Sequence, residues 1–420
     1  MELSNFREGI RAFIRKYPFL FTVVKFLMKY VRKLKREIYT IVYKTKEKLI
    51  TLRRRCILIK SSYKEFFKVK KEDYQLLIVW NNALYKEQQI LEDLKKNFLI
   101  IKKVKVNWEK KFAEENFLRF YSHSLIKFPE ENVEDIVKSK IEHCGVGQFS
   151  AYILQDLNPK YRIRKTSTGE ALVNTKIFDL KNKYRKWTGG GHKIHATDDR
   201  EEFEKDIALL FGLKKDIKKL PSKVNSNVLG VGGWNSIEEL FYVLNRSVKY
   251  VVLRNYECLP KKYTLENHGD IDLLLSDLRS VVYLTGAKKA FPEDYRVHYF
   301  IKIKGEQIPF DFRFVGDNYY DKKWQEEILN SRRKVNRIYV PSQKNHFYSL
   351  LYHALIHKEV VSDDYILKFN KLSKLLKIKI KSELFDKKEM NLILRRFLRQ
   401  HRYRVVKPID ESVGFKKLLT

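Results

Sequence analysis

The chain has no run of about 20 apolar residues, which is what a helix needs to cross a bilayer. Its longest candidate, residues 19–28, is short and broken by Lys25. No small-residue cleavage site follows it, so it does not read as a signal peptide. Cysteine is scarce: Cys56, Cys144 and Cys258 are too few and too scattered for a disulfide framework. A cytoplasmic setting is therefore expected, and attachment to the inner face of a membrane is compatible with it. Internal repeats and low-complexity tracts are missing, as are helix-turn-helix, zinc-finger and RNP-like signatures. Acid is in short supply. Across 420 residues, 51 Asp and Glu face 86 Lys and Arg, a net charge of +35. Such a charge draws nucleic acid, anionic lipid or phosphorylated substrates. A general lysine bias gives the same balance with no partner at all. What is plentiful is aromatic side chains, 14% of the chain, within an apolar fraction of 44%. That content argues against disorder, and the length suffices for two or three domains.

The basic excess is concentrated at one end. Residues 1–72 hold 21 Lys and Arg against 6 Asp and Glu. Phe19, Val23, Phe26, Leu27, Tyr30 and Leu34 recur at near-helical spacing, with Lys25, Lys29, Arg32, Lys33 and Arg36 mostly on the other faces. This predicts a basic amphipathic helical arm. It suits an anionic membrane surface, or it packs on the protein and wears a solvated charged face.

Residues 73–213 read as an α/β domain, with strands at 76–80, 98–108 and 151–155. Helices are predicted at 85–96 and 201–211, the latter capped by Asp198 or Asp199. Residues 214–233 carry a lysine cluster, Pro221, Gly230, Gly232 and Gly233, and read as a linker. A helix at 237–245, capped by Ser236 with Glu239 at the capping-box position, opens the next domain, 234–343. Strands are predicted at 250–254 and 270–275, and a hairpin pairs 296–303 with 307–314. Residues 344–420 read as helical, at 347–358, 364–376 and 387–399. The expected fold class is α/β (α+β): a basic arm, an α/β domain, a mixed-sheet domain and C-terminal helices.

Glycines cluster at Gly189, Gly190 and Gly191, followed by His192, Lys193 and His195. Glycine lets a backbone approach a ligand closely, and a helix N-terminus follows. Gly190, Gly191, His192, Lys193 and His195 are thus candidate contacts to a phosphate or phosphosugar, with Arg185, Lys186 and the basic run 160–167 nearby. The plainer reading is a flexible loop with solvated charges. The Gly-Lys-Ser/Thr ending of a Walker loop is absent. His143, Cys144, His192 and His195 lack a standard zinc spacing. His353 and His357 lie four apart and share a helix face; packing or solvent exposure is the preferred reading, contact with substrate the other. Tyr319, Tyr320 and Trp324 read as core more than as a stacking platform.

The carboxylates carry the sharper signal. In a strand at 270–275, Asp270 and Asp272 share one face while Ile271, Leu273 and Leu275 share the other. Two neighbouring carboxylates on a half-buried strand repel each other, and a cation between them removes that cost. The oxygen donors suit a hard ion such as Mg²⁺. On the second hairpin strand Phe310, Phe312 and Phe314 share one face, and Asp311 and Arg313 the other. Asp311 is placed to complete a cluster of three.

This order of helix, strand, Asp-x-Asp strand and third aspartate resembles the polymerase-beta-like nucleotidyltransferase superfamily. The likeness is to its bacterial uncharacterised nucleotidyltransferase type and spans about residues 233–364. The resemblance implies Mg²⁺ (or Mn²⁺) held by Asp270, Asp272 and Asp311, in a two-metal in-line transfer. It implies that Asp270 and Asp272 also contact phosphate, and that Asp311 helps deprotonate the acceptor. The chain departs from the family at one point: no glycine pair follows the first strand. Leu253-Arg254-Asn255-Tyr256-Glu257 stands there instead. Arg254 and Asn255 are then the expected phosphate contacts, with His268, Gly269 and Arg313 beside them. The partners implied are a nucleotide or nucleotide-sugar donor and a glycan or phosphorylated acceptor. An anionic membrane surface would be met through residues 1–72, as surface-polysaccharide assembly would require. The superfamily also holds polymerases and RNA-modifying enzymes, so nucleic acid is a second expected partner class. A catalytically inactive membrane scaffold is a third expectation.

Overall fold

The computed structural model describes residues 73–166, 169–212, 216–261, 263, 269–380 and 385–416. The expected basic arm, residues 1–72, lies outside them. The first half runs β1 (Asp73–Val79), α1 (Glu87–Asn97), β2 (Leu99–Asn107), α2 (Ala113–Phe120), α3 (Val133–Cys144) and β3 (Gln148–Asp156). A hairpin of β4 (Tyr161–Thr166) and β5 (Gly169–Asn174) follows, then α4 (Thr175–Trp187), β6 (Ile194–Ala196) and α5 (Arg200–Phe211). The apolar run in β1 is explained by burial on both faces. Leu76 and Ile78 pack towards α2, α3 and α5, and Leu77 and Val79 towards α1 and α4. Asp199 caps α5 as expected, accepting from the Glu202 N–H at 2.8 Å. The α4 helix begins where Asn174 accepts from Lys176 and Ile177 N–H.

The predicted linker is an integral part of this layer. Its residues form β7 (Lys223–Val224), which pairs parallel with β2 and completes the sheet β6-β1-β3-β2-β7. Leu220, Val228 and Trp234 are buried. The glycines that suggested a flexible joint instead make close packing feasible. Gly230 has a φ of +81°, and a Cβ there would lie 2.4 Å from the Trp234 ring.

The second half continues with α6 (Ile237–Ser247), β8 (Tyr250–Val252), β9 (Ile271–Leu275), α7 (Leu278–Thr285), β10 (Lys288–Lys289), β11 (His298–Ile303) and β12 (Glu306–Phe314). Ser236 accepts from the Glu239 N–H at 3.0 Å, and Glu239 reaches back to the Asn235 N–H at 2.9 Å. The hairpin closes at Lys304-Gly305, both at positive φ, which is what a two-residue turn with matching twist requires. The sheet order is β10-β11-β12-β9-β8, with β9 and β12 parallel and the other pairs antiparallel. Then come α8 (Lys322–Asn330), a hairpin of β13 (Arg333–Val335) and β14 (Ile338–Val340), α9 (Gln343–Tyr352), α10 (Asp363–Leu376) and α11 (Lys387–His401). The chain is therefore mixed α/β, as its periodicities indicated.

The described residues from Asp73 onward form one compact unit. One hydrophobic core includes Leu76, Phe117, Trp234, Leu273 and Phe310. Arg119, 3% exposed, binds Glu115 and donates to the Leu284 carbonyl at 2.8 Å, tying α2 to α7. The C-terminal helices build a second core on the other face of β8 and β9, against Val251 and Leu274. That face also carries Asp272. No described helix is long and apolar enough to cross a membrane.

Candidate metal centre and its pocket

The parallel pairing of β9 with β12 sets Asp272 directly opposite Asp311. Asp270 stands one residue before β9, exposed, while Asp272 and Asp311 are 2% and 5% exposed. One carboxylate oxygen from each of the three lies within 4.8 Å of the other two. The expected cluster thus forms at the mouth of a cavity of about 460 Å³.

Two arginines partly neutralise it. Arg254, just past β8, grips Asp272 in a fork: Nε donates to Oδ2 at 2.7 Å and Nη2 donates to Oδ1. Its Nη1 donates to the Tyr319 hydroxyl at 3.2 Å. Arg313 lies 3.5 Å from Asp311 Oδ2, donates to Asp410 Oδ2 at 3.2 Å and stacks over the Tyr319 ring. Asp311 Oδ1 is left buried with no hydrogen bond; His298 Nε2 stands 3.5 Å away without bonding geometry. Burial first, then the charges of Asp272 and Asp270, push the Asp311 carboxyl up to about 8. Burial also raises Asp272 despite Arg254. An isolated carboxylate has about four lone-pair directions, so the Arg254 fork leaves Asp272 able to accept another cation. An orphaned buried oxygen in an all-oxygen donor set fits a hard divalent ion.

The flanking residues fall partly where the sequence placed them. Arg254, Asn255 and Arg313 line the cavity with the aspartates. Asn255 adopts a φ of 54°, and its side-chain oxygen accepts from Lys368 Nζ at 2.9 Å. Gly269 has a φ of 55°, and its carbonyl accepts from the Tyr263 hydroxyl. His268 lies outside the described residues.

His353 and His357, for which packing was preferred, line the same cavity. They sit on a π-turn, His353–His357, closed by Lys358 N–H donating to the His353 carbonyl at 3.1 Å. Such turns often mark functional positions. His353 Nδ1 is 2.6 Å from the Tyr319 hydroxyl. Burial, with the Arg254 charge next, holds His353 well below the ordinary range, and burial pushes His357 down to about 3. Both nitrogens of His357 are buried without a partner. Tyr320 and Trp324 are core, as expected. Residues the sequence did not flag are Tyr365 and the strip Ser412–Gly414, which line the cavity, and Asp410 beneath Arg313. Nothing local marks them: they lie about one hundred residues from their partners, and only the C-terminal packing brings them in.

The glycine-rich loop is elsewhere, and its expected anion cradle is corrected. Gly190 donates its N–H to the Arg185 carbonyl at 2.7 Å and Gly189 to Lys186 at 3.2 Å, so the loop terminates α4. Those amides face the negative end of a helix, not a ligand. Gly191 is packed: a Cβ would lie 2.9 Å from the His143 ring. Lys193 Nζ donates to the Thr188 carbonyl at 2.9 Å, closing the loop on itself. His192 and His195 line a separate cavity. His143 and His192 meet edge to face, and the Cys144 thiol, pushed up to about 12 by burial, donates to the His192 carbonyl at 3.3 Å. No family model and no curated protein matches the chain.

Proposed function

We propose that the protein is a divalent-metal-dependent transferase that moves a nucleotidyl or phosphoryl group, in line with its resemblance to the polymerase-beta-like superfamily. The supporting observation is the Asp272–Asp311 register pair with Asp270 beside it, which leaves a buried oxygen of Asp311 without a partner. Asp270, Asp272 and Asp311 would hold Mg²⁺ or Mn²⁺. The chemistry supplied there by a bound ion is stabilisation of charge on phosphoryl oxygens and acidification of an acceptor hydroxyl. The chain's own groups do the rest. Arg254 fixes the Asp272 carboxylate and Arg313 braces Asp311. In this reading Asp311 would also help deprotonate an acceptor hydroxyl. Tyr319, His353 and Val361 line the cavity beside them.

The donor in this reading is a nucleotide or nucleotide sugar, the acceptor a glycan or phosphorylated precursor. Residues 1–72 would hold the enzyme on the cytoplasmic face of an anionic membrane. Thermal denaturation with a panel of nucleotides and nucleotide sugars, with and without Mg²⁺, tests it. A Mg²⁺-dependent rise in melting temperature for one class names the donor. No rise with any of them, or one that survives in Asp270→Asn and Asp311→Asn, removes the reading.

A further inference from the structure

A second cavity, of about 560 Å³, opens in the first half of the molecule. Its walls come from α3, α4, β6, α5 and the β4–β5 hairpin. Four carboxylates lie on its walls; Glu201 is exposed, and the other three have partners within the protein. Asp198 pairs with Lys181. Asp199 caps α5. Glu202 accepts from the Asp198 N–H at 2.7 Å and lies 3.4 Å from His123 Nε2. Behind His195, Asp206 lies 2.7 Å from His195 Nε2 and 3.0 Å from Lys205 Nζ.

His195, Glu202 and Asp206 could be taken for a metal cluster. The Lys205 ammonium already fills that role, lying between Asp206 and His123 Nδ1, which is 2.6 Å from it.

Two cations in the same lining are not paired. Lys140 and Arg185 are half-buried, and among the described residues neither has a carboxylate partner. Arg185 Nε donates to the Ile194 carbonyl at 3.0 Å, and among the described residues its two terminal nitrogens have no acceptor. Lys140 Nζ lies 4.0 Å over the Tyr121 ring. Each bears on the same surroundings: burial and then the Lys140 and Arg185 charges press His192 down to about 4, so it stays neutral between them. Burial lowers Lys140 too, and the Arg185 charge adds to it. Two like charges gathered in a cleft, neither of them paired with a carboxylate among the described residues, are costly to the fold alone.

We propose that this cavity is a second ligand site, which takes a phosphorylated small molecule with its phosphate between Lys140 and Arg185. Two cations match a phosphate monoester dianion better than a carboxylate, and the Arg185 fork suits phosphate oxygens. The volume is that of a small-ligand pocket, on the scale of a sugar phosphate. His195, held through Nε2 by Asp206, has Nδ1 left for a ligand hydroxyl. The site owes nothing to the glycine backbone; its recognition is by side chains from α3, α4 and β6.

The test is isothermal titration of the full chain with glucose 6-phosphate, inorganic phosphate and glucose, in EDTA so that the aspartate pocket cannot contribute through a cation. Binding of the phosphate-bearing probes and none of glucose is expected. Lys140→Met and Arg185→Gln should each weaken it by about tenfold or more, with Lys186→Gln, an exposed neighbour on the same helix, binding as wild type. The Asp270→Asn/Asp311→Asn variant should also bind as wild type, so the reading stands or falls independently of the proposed transferase site. Failure of both phosphate-bearing probes, equal binding of glucose, unchanged binding in Lys140→Met, or loss in the double aspartate variant overturns the proposal. If Arg185→Gln fails to fold, Lys140→Met decides, because the Lys140 ammonium lies over the Tyr121 ring and has no hydrogen bond among the described residues.

Discussion

Replacing Arg254 by Met isolates the electrostatics of the aspartate cluster. The side chains of Arg254 and Asp272 are 12% and 3% exposed, and the fork between them is bidentate. Removing one partner of such a buried pair costs about 3–5 kcal/mol, because it leaves an uncompensated buried charge. For a unit of this size, about 2 °C of melting temperature follows each kcal/mol. Arg254→Met should therefore melt roughly 6–10 °C below wild type in EDTA. Mg²⁺ changes that comparison. With Arg254 gone, both Asp272 oxygens are free, and a cation held by Asp270, Asp272 and Asp311 replaces the lost charge. An ion at about 100 times its dissociation constant returns about 2.7 kcal/mol, so roughly half or more of the deficit should vanish. Differential scanning calorimetry in EDTA and in 10 mM-scale Mg²⁺ reads both numbers. The variant should gain more from Mg²⁺ than wild type does, and Arg254→Met/Asp272→Asn should recover stability in EDTA. An Arg254→Met variant as stable as wild type would refute the buried-pair reasoning. A deficit indifferent to Mg²⁺ and Mn²⁺ would refute the metal reading.

Asp311 gives a pH dependence. Its folded pKa of about 8 lies above the unfolded carboxylate value, so the folded state binds the extra proton between them. The cation-free protein should be most stable near and below pH 4 as far as this group goes, and lose that contribution as pH rises through about 8. Urea midpoints across that window should fall less steeply in Asp311→Asn; an identical slope contradicts the assignment. Gly230→Ala should destabilise by about 2 kcal/mol or more, from a positive φ and a Cβ driven into Trp234; urea unfolding within 0.5 kcal/mol of wild type would show that the joint can relax. Arg119→Met strips the Leu284 carbonyl of its donor and leaves Glu115 without its partner. About 2–4 kcal/mol should be lost, and hydrogen exchange at α7 should speed up with it. A loss confined to α2 would mean that Arg119 does not couple the two halves.

How much of this was legible before the structure depends on whether the signal was local. The strand carrying Asp272, the cap at Ser236 and the hairpin at Lys304-Gly305 each depend on periodicity or turn chemistry within a few residues, and each is where the sequence placed it, the strand starting one residue later, after Asp270. Asp311 was reachable too, because alternating phenylalanines fixed which face it shares. The register between β9 and β12 was not, since parallel strands joined by thirty residues carry no turn to set it. The linker was misread for a physical reason: glycine at positive φ marks tight packing as readily as flexibility, and only the Trp234 ring distinguishes them. The glycine-rich loop failed the same way, because a helix C-terminus and a phosphate loop both need glycine. His353 and His357 were recognised as sharing a face, but whether that face meets solvent, core or cavity depends on α10 and the C-terminal strip.

The two carboxylate clusters show why proximity of acids is a weak guide and charge balance a better one. Glu202 and Asp206 sit as close to His195 as the three aspartates do to one another. Yet Asp206 has Lys205 and His195 against it, and Glu202 has the Asp198 N–H and His123. That cluster is electrically closed, and a metal ion would have to evict an ammonium from a buried site. The aspartate cluster is open. Arg254 is committed to Asp272 and Arg313 is shared between Asp311 and Asp410, so among the described residues Asp270 and one oxygen of Asp311 have no lysine or arginine partner. A protein can meet that deficit by keeping a proton, which is what the raised Asp311 pKa expresses, or by taking up a cation. The two responses compete for one oxygen. Metal uptake near neutral pH should therefore release a proton from Asp311, and calorimetric titration with Mg²⁺ in buffers of different ionisation enthalpy would count it. Uptake with no proton release would place the ion away from Asp311 Oδ1.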